Sequence, residues 1–497
     1  MFLTAIVIIC GLVYLWQKWN YSFWKRNGVP GPEPSFLVGN IGQVIAQKEH
    51  LGILADGWYK KYSNVPYVGY YKVVSPAILI RDVELVKNIL IKDFTSFFEN
   101  DIAESSDDPN NLLSVNPFIQ KDEQKWKLSR AVMSPMFTTS KMKSIFPLMQ
   151  TPCDKLIKHI ERQTTDTDID SKSLSAKFTT ENVASCAFSL EANSFDDPKS
   201  EFRTMGKKIF QPSFWMGIKF MIIFLLPYLV KIFSVQLLSK EVAQWARKLI
   251  RENVESRQNR KLPNEDMVQI MLSFQDKHNL TQDQVAGHAM SFFVDGYETS
   301  SSVLAFALWQ VARHRDIQDK LHGEIVSVLD KYENTFSYEA INEMEYLDLV
   351  IQETLRINSI GLTLQKICTK PYVMPKLPGQ KEPLVLQPGT PILIPIYAIH
   401  HDPEIYPDPE TFNPLRFTEE ERQKRPKCSF LPFGEGPRIC VGMKFGLLQT
   451  KLALAHIVRN FKITESPNCK PFALDVRSFL YQSRDGLILR FEKRQSK

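Results

Sequence analysis

What this chain has little of already narrows its class. Cysteine is scarce: seven residues, at positions 10, 153, 186, 368, 428, 440 and 469, with neither a CxxC pair nor zinc-ligand spacing. That odd, scattered set excludes a disulfide framework and a zinc module, and it suits a reducing compartment. A strong charge bias is also missing. The 61 basic residues are nearly matched by 55 acidic ones, for a net charge of +6. This is well short of a nucleic-acid-binding balance, so no nucleic-acid partner is expected. Most lysines and arginines are interleaved with acids, the pattern of a solvated face. There is no internal repeat, no low-complexity tract, no dinucleotide-binding glycine fingerprint and no flavin domain. A cleaved signal peptide would need positive charge before its apolar run and a small-residue site after it, and neither is present.

What is present begins with apolar sequence. Hydrophobic residues make up 44% of the 497 positions, enough for a large core. Phe2 to Trp16 is interrupted only by Thr4 and Gly11, and Trp16, Trp19, Tyr21, Phe23 and Trp24 extend it as an interfacial belt. The run predicts a membrane anchor over 1–24; a soluble core helix is the alternative. Lys18, Lys25 and Arg26 then place the remainder on the cytosolic side. Residues 25–34 carry Val29-Pro30-Gly31-Pro32-Glu33-Pro34, a stiff stretch expected to be a hinge before a domain over 35–497. Val65 to Arg81 predicts a small hairpin, and Asp82 a cap on the helical run behind it. Asp101 to Gln120 is expected to be a mobile loop. A second apolar tract, Phe214 to Phe233, is broken by Pro227, which argues against a straight span.

The most specific signal lies near the C-terminus. Phe433-Gly434-Glu435-Gly436-Pro437-Arg438-Ile439-Cys440-Val441-Gly442 fits Phe-x-x-Gly-x-Arg-x-Cys-x-Gly. Each fixed position has a chemical reason. Cys440 is suited to be a soft anionic ligand to haem iron. Gly436 and Gly442 permit turns or close approach that a Cβ would block. Arg438 can clamp a propionate, and Phe433 can shield the sulfur from water. The apolar stretch from Met443 to Val458 predicts a helix following this loop.

Other spacings are weaker alone. Trp126 and Arg130 form an i,i+4 pair. Thr281-x-x-Gln284 is a capping box opening a helix predicted to run to about His314. A mid-helix glycine, Gly296, costs about 1 kcal/mol relative to alanine and invites a functional explanation. It sits in Asp295-Gly296-Tyr297-Glu298-Thr299-Ser300. Glu353 and Arg356 form an i,i+3 ion pair. His400 and His401 are adjacent; read as extended chain they point opposite ways, so no metal site is expected of them. Arg422, Lys424, Arg425 and Lys427 are either a solvated stretch or a surface that steers an acidic partner.

Taken together these motifs resemble the cytochrome P450 family, over residues 28–497 and in family order. The resemblance implies a mainly α-helical haem-thiolate domain with small β-sheets plus an N-terminal anchor. It implies haem b, axially ligated by Cys440, with Arg438, Trp126, Arg130 and Lys366 near the propionates. Phe433, Gly436, Gly442 and Gly296 would complete the cofactor site. Thr299 would hydrogen-bond the dioxygen being cleaved and Glu298 would relay protons to it. A hydroxyl bonded back to its own helix is the alternative for Thr299. Glu353, Arg356 and Arg416 would form a structural ion triad, with Ser359 standing where proline is common. Leu112, Leu113, Phe118, Phe479 and Leu480 would line the substrate pocket, and the 214–233 tract would touch the bilayer.

Asp295 departs from the pattern, which expects a small residue there. Two expectations follow: an ester to haem, as in the fatty-acid-hydroxylating branch with its glutamate, or a carboxyl turned away and hydrogen-bonded. The implied function is a microsomal monooxygenase acting on an apolar small molecule with O2. It would sit in the endoplasmic reticulum membrane and draw electrons from NADPH-cytochrome P450 reductase, with cytochrome b5 as a further donor. The sequence looks most like the insect branch that handles toxins, insecticides and hormones. Two alternatives stay open: a reductase-independent isomerase or dehydratase acting on peroxides, and a non-catalytic haem protein that sequesters ligands.

Overall fold

The computed structural model describes residues 2–102, 111–258 and 266–495. The N-terminal helix α1 (Phe2–Asn20) is apolar on every side, and of its residues only Gln17 is buried. Together with the turn to Arg26 it is long and apolar enough to cross a membrane. Its foot is seated on the domain. Trp24 Nε1 donates to the Tyr70 carbonyl at 2.8 Å, and the Gly69 amide donates to Pro30 at 2.9 Å. A Cβ on Gly31 would lie 1.8 Å from the Gly69 oxygen, so the proline-rich stretch hugs the sheet there.

The hairpin forms as expected. Strands β1 (Tyr67–Lys72) and β2 (Ser75–Ile80) pair antiparallel, Tyr67 opposite Ile80, and Asp82 accepts from the Leu85 amide to start the next helix. Helices α2 (Glu123–Met133), α3 (Thr139–Glu161), α4 (Ser171–Phe188), α5 (Glu201–Phe210) and α6 (Phe214–Leu225) follow. The axis turns by 62° between α5 and α6. The second apolar tract is thus two helices, α6 and Pro227–Phe233. It buries Phe220 and Ile223 while Phe214, Trp215, Ile232 and Phe233 stay exposed.

The long helix α7 (Gln282–Arg313) opens with the capping box, Thr281 and Gln284 serving each other's backbone. It is buried on most of its circumference, which marks a core helix rather than a surface one. It packs most extensively on α4. Next come α8 (Glu345–Ile357), β3 (Leu364–Ile367), β4 (Pro391–Ile394), the short α9 (Ile396–His400) and α10 (Met443–Asn460). The main sheet has the order β1-β2-β4-β3, with β2 and β4 parallel and Lys366 on β3 opposite Ile392. One apolar core lies among the helices around α7 and α10, a second under the sheet.

Candidate active site

A cavity of about 480 Å³ lies between α7, the 433–442 loop, β3 and the turn at 476–480. Ten of the residues singled out in the sequence line it: Trp126, Arg130, Asp295, Gly296, Thr299, Lys366, Phe433, Arg438, Cys440 and Gly442. The loop that carries Cys440 is built by backbone geometry. Gly436 has φ +75°, and a Cβ there would lie 2.0 Å from the Leu90 oxygen, so only glycine fits. Gly434 shares the left-handed conformation at φ +69°, a requirement the sequence reading did not assign. The Cys440 amide donates to the Phe433 carbonyl at 2.9 Å, closing the loop around the sulfur. Burial pushes the thiol up to about 11, while the Gly442 and Met443 amides pull it the other way.

The close approach expected at Gly442 is not made by protein atoms, and Gly296 has the same room. A Cβ at either would meet protein atoms only at ordinary contact distance, 3.8 Å and 3.7 Å. Protein packing therefore requires neither glycine.

Among the described residues, three cations meet the cavity without an ion pair to a carboxylate. Lys366 is buried, and its Nζ donates to the Asn100 side chain at 3.0 Å and the Phe98 carbonyl at 3.2 Å. Burial holds it well below the usual lysine range, helped by Arg438 nearby. Arg438 donates to the carbonyls of Pro117 (2.8 Å) and Gln120 (2.6 Å), and burial pushes it down to about 10. Its Nε is buried without any partner. Arg130 donates to the Ile439 carbonyl at 2.9 Å. Trp126 stands beside them, its ring edge-on to Phe98 at 5.3 Å. Buried cations resting on neutral carbonyls are costly unless an anion joins them. The set fits a flat group carrying two carboxylates and a metal within reach of Cys440, which is what haem is.

The α7 face is less as expected. Thr299 faces the cavity but gives its hydroxyl proton to the Asp295 carbonyl at 2.6 Å, the back-bonded alternative. Glu298 is turned away from the cavity. Its Oε1 accepts from Gln482 Nε2 at 2.6 Å and pairs with Lys172 Nζ at 2.9 Å. Residues one position apart on a helix face different ways, so Thr299 and Glu298 do not share a side. Asp295 opens onto the cavity and is hydrogen-bonded as well: its Oδ2 accepts from Asn116 Nδ2 at 3.0 Å. Burial pushes this carboxyl up to about 6, with Asn116 opposing. Gln449 on α10, which no sequence signal marked, donates to Gly296 O (3.2 Å) and Ser300 Oγ (2.7 Å), tying roof to floor.

Leu113, Phe118, Phe479 and Leu480 line the cavity, whereas Leu112 packs its backbone against Gly287 instead. Phe224 of α6 stacks on Phe479 at 5.3 Å and 17°. The described part of the expected mobile loop is a buried short helix, Leu112–Val115. Residues 103–110 of that loop lie outside the described residues.

The ion triad sits behind the cysteine loop. Arg356 donates bidentately to Glu353 at 2.7 and 2.9 Å, and both are fully buried. Arg416 Nε lies 3.5 Å from the same carboxylate. The two histidines are not extended chain but the end of α9, and both are buried. The Leu431 amide donates to His400 Nε2 at 2.8 Å, so Nδ1 carries the proton and donates to Ser359 Oγ at 2.7 Å. Ser359 in turn donates to the Arg356 carbonyl at 2.9 Å. The basic stretch is largely committed. Arg422 donates to Gln352, Lys424 to Glu421, and Arg425 to the Arg416 carbonyl. Among the described residues no group of three or more histidine, cysteine or carboxylate side chains forms a metal site.

Comparison with known proteins agrees with this geometry. The family model described as Cytochrome P450 matches residues 29–489. The chain is 35% identical to "Probable cytochrome P450 6a13" of Drosophila melanogaster, covering 99% of this chain and 98% of that protein. It is 34% identical to "Cytochrome P450 6j1" of Blattella germanica, covering 99% and 97%. Against "Cytochrome P450 6a2" of Drosophila melanogaster the identity is 34%, covering 98% of each.

Proposed function

The chain belongs to the cytochrome P450 family, and from that premise we propose that it inserts one oxygen atom of O2 into an apolar small molecule, the other leaving as water, with electrons from NADPH through a separate reductase. The class itself, a haem-thiolate monooxygenase, comes with the family. One observation carries the rest: Cys440 opens into a cavity roofed by Gly296 and Thr299 and edged by three cations that, among the described residues, make no ion pair with a carboxylate.

Bound haem supplies the activation of dioxygen at its iron. The chain's own residues do the remaining work. Cys440 would hold the iron as a thiolate, since a metal cation outweighs the burial that keeps the free thiol protonated. Arg438, Lys366 and Arg130 would hold the propionates of a haem b, which would give Arg438 Nε the partner it lacks among the described residues. Thr299 has already given its proton to Asp295 O, so its lone pairs accept a hydrogen bond from the cavity side. Glu298 keeps its charge behind α7 through Lys172 and Gln482, and reaches the cavity only by breaking that pair. Phe118, Phe220, Phe224 and Phe479 exclude water from the reacting carbon.

The apolar helix α1 and the exposed Phe214 and Trp215 support a domain lying on the cytosolic face of the endoplasmic reticulum, with substrate entering from the lipid. Since the 422–427 cations are mostly occupied, they add little free charge for docking the reductase or cytochrome b5.

The test is direct. Reduced protein with carbon monoxide is expected to give the far-red-shifted Soret band of a thiolate haem, and product formation is expected to need both NADPH and reductase. Cys440→Ser is expected to abolish the band and the turnover. An imidazole-type band, or turnover surviving in the serine variant, would sink the proposal.

A further inference from the structure

The cavity has one charged feature that haem binding leaves unanswered. Asp295 presents its carboxyl from the roof helix, and among the described residues its one side-chain hydrogen bond comes from Asn116, a neutral amide at 3.0 Å. Asn116 is itself fixed, its Oδ1 accepting from the Phe118 amide at 2.8 Å. Of the other carboxylates on the lining, Asp101 is neutralised by Lys72 at 2.6 Å, and Glu435 belongs to the Cys440 loop. The cations on the lining are committed elsewhere. Arg130, Lys366 and Arg438 edge the cofactor site, and Arg477 pairs with Asp475 at 2.7 Å. A carboxylate that opens onto a largely apolar cavity with no cation paired to it is met best by a ligand that brings one. Aromatic faces such as Phe118, Phe224 and Phe479 favour an ammonium further.

We propose that the cavity takes lipophilic bases: small molecules with an aromatic or aliphatic body and one protonated amine, whose ammonium pairs with Asp295. This rests on the monooxygenase reading for the cavity's purpose, but its test does not depend on turnover. Full-length holoenzyme is titrated by calorimetry at pH 8 with dimethyl(3-phenylpropyl)amine, with its trimethylammonium analogue, and with the hydrocarbon in which isopropyl replaces dimethylamino.

Wild type is expected to bind both cations at least tenfold more tightly than the hydrocarbon. Asp295→Asn is expected to erase that preference, and Asp295→Glu to keep most of it, with the carbon monoxide band unchanged in both. Equal binding by wild type overturns the proposal, as does a preference that survives in Asp295→Asn. A nitrogen-ligated Soret spectrum with the amine overturns it too, because the base would then sit on iron. So does haem that stays with the denatured polypeptide, since an ester would consume the carboxyl. Should the asparagine variant not hold haem, the trimethylammonium probe on wild type decides, because it cannot ligate iron and must still bind tightly. Failure of the carbon monoxide band would sink the monooxygenase reading and leave the calorimetric comparison interpretable.

Discussion

Two groups of wholly or partly buried cations are built on different principles. Arg356 and Arg416 share the Glu353 carboxylate, and Arg356 spends further donors on the carbonyls of His400 and Pro409. Arg438, Lys366 and Arg130 have only neutral acceptors, and Arg438 Nε has none. The first cluster holds its own counter-charge in Glu353, although Arg416 Nε, like Arg438 Nε, is buried without a hydrogen bond, so its role is structural. The second is incomplete without an anion, and its charge is directed at the ligand that supplies one. A cluster of cations that lacks a counter-charge is thus the more informative of the two.

The comparison is broken most severely from the structural side. Glu353→Gln leaves two arginines buried beside a neutral amide, and is expected to cost about 3–5 kcal/mol of stability with haem bound or removed. Thermal unfolding of both forms checks this; a loss confined to the haem-bound form would erase the distinction between the clusters. Lys366→Met and Arg438→Leu are expected to act the other way. Each should speed haem loss to apomyoglobin about tenfold or more, the loss of roughly one charge-assisted bond, while shifting the haem-free protein much less.

How much of this was legible beforehand follows from the range of each interaction. The cysteine loop, the capping box at Thr281 and the hairpin at 67–80 are local patterns, and they appear where the spacing put them. Glu353 and Arg356 were legible as neighbours on one helix turn, and Arg416 joined them only through the family resemblance. Asn116, Lys172, Gln449 and Gln482 carried no signal, because each acts on a residue far away in sequence and nothing in its own surroundings marks it. The histidine pair was misread for a related reason. Taken as extended chain, His400 and His401 gave no sign of their burial, and only the fold reveals that α9 buries both. Glu298 fell between the two cases: its place beside Thr299 was plain, but the helix turns it toward Lys172.

Smaller effects sharpen the contrast within the loop itself. Gly436→Ala must move the Leu90 carbonyl and hold a strained φ, so it is expected to lose about 1–3 kcal/mol and part of the bound haem. Gly442→Ala meets only Phe137 at 3.8 Å, and is expected to leave the haem-free protein within about 0.5 kcal/mol of wild type. Equal losses from the two haem-free variants would show that the loop is shaped by something other than the Leu90 contact.

The gentlest probe of the completed side is acid. Burial holds His400 well below the usual histidine range, with His401 and Arg356 adding to the depression. The folded state therefore keeps this ring neutral, while the unfolded chain protonates it as pH falls through about 6.5. The unfolded state binds more protons in that window, so stability is full above it and declines below it, by at most about 1.4 kcal/mol per pH unit for one histidine. His50, His159, His288, His401 and His456 are each pushed down to about 4 and add slopes of the same sign. Protonation of His400 at Nε2 would set a donor against the Leu431 amide and cut the chain that runs through Ser359 to Arg356. His400→Gln is expected to flatten the decline between pH 6.5 and 5 by close to one proton's worth, read from urea midpoints across that range. A slope unchanged in the variant would mean that His400 titrates as it does in the unfolded chain, and that the completed cluster ends at Arg356.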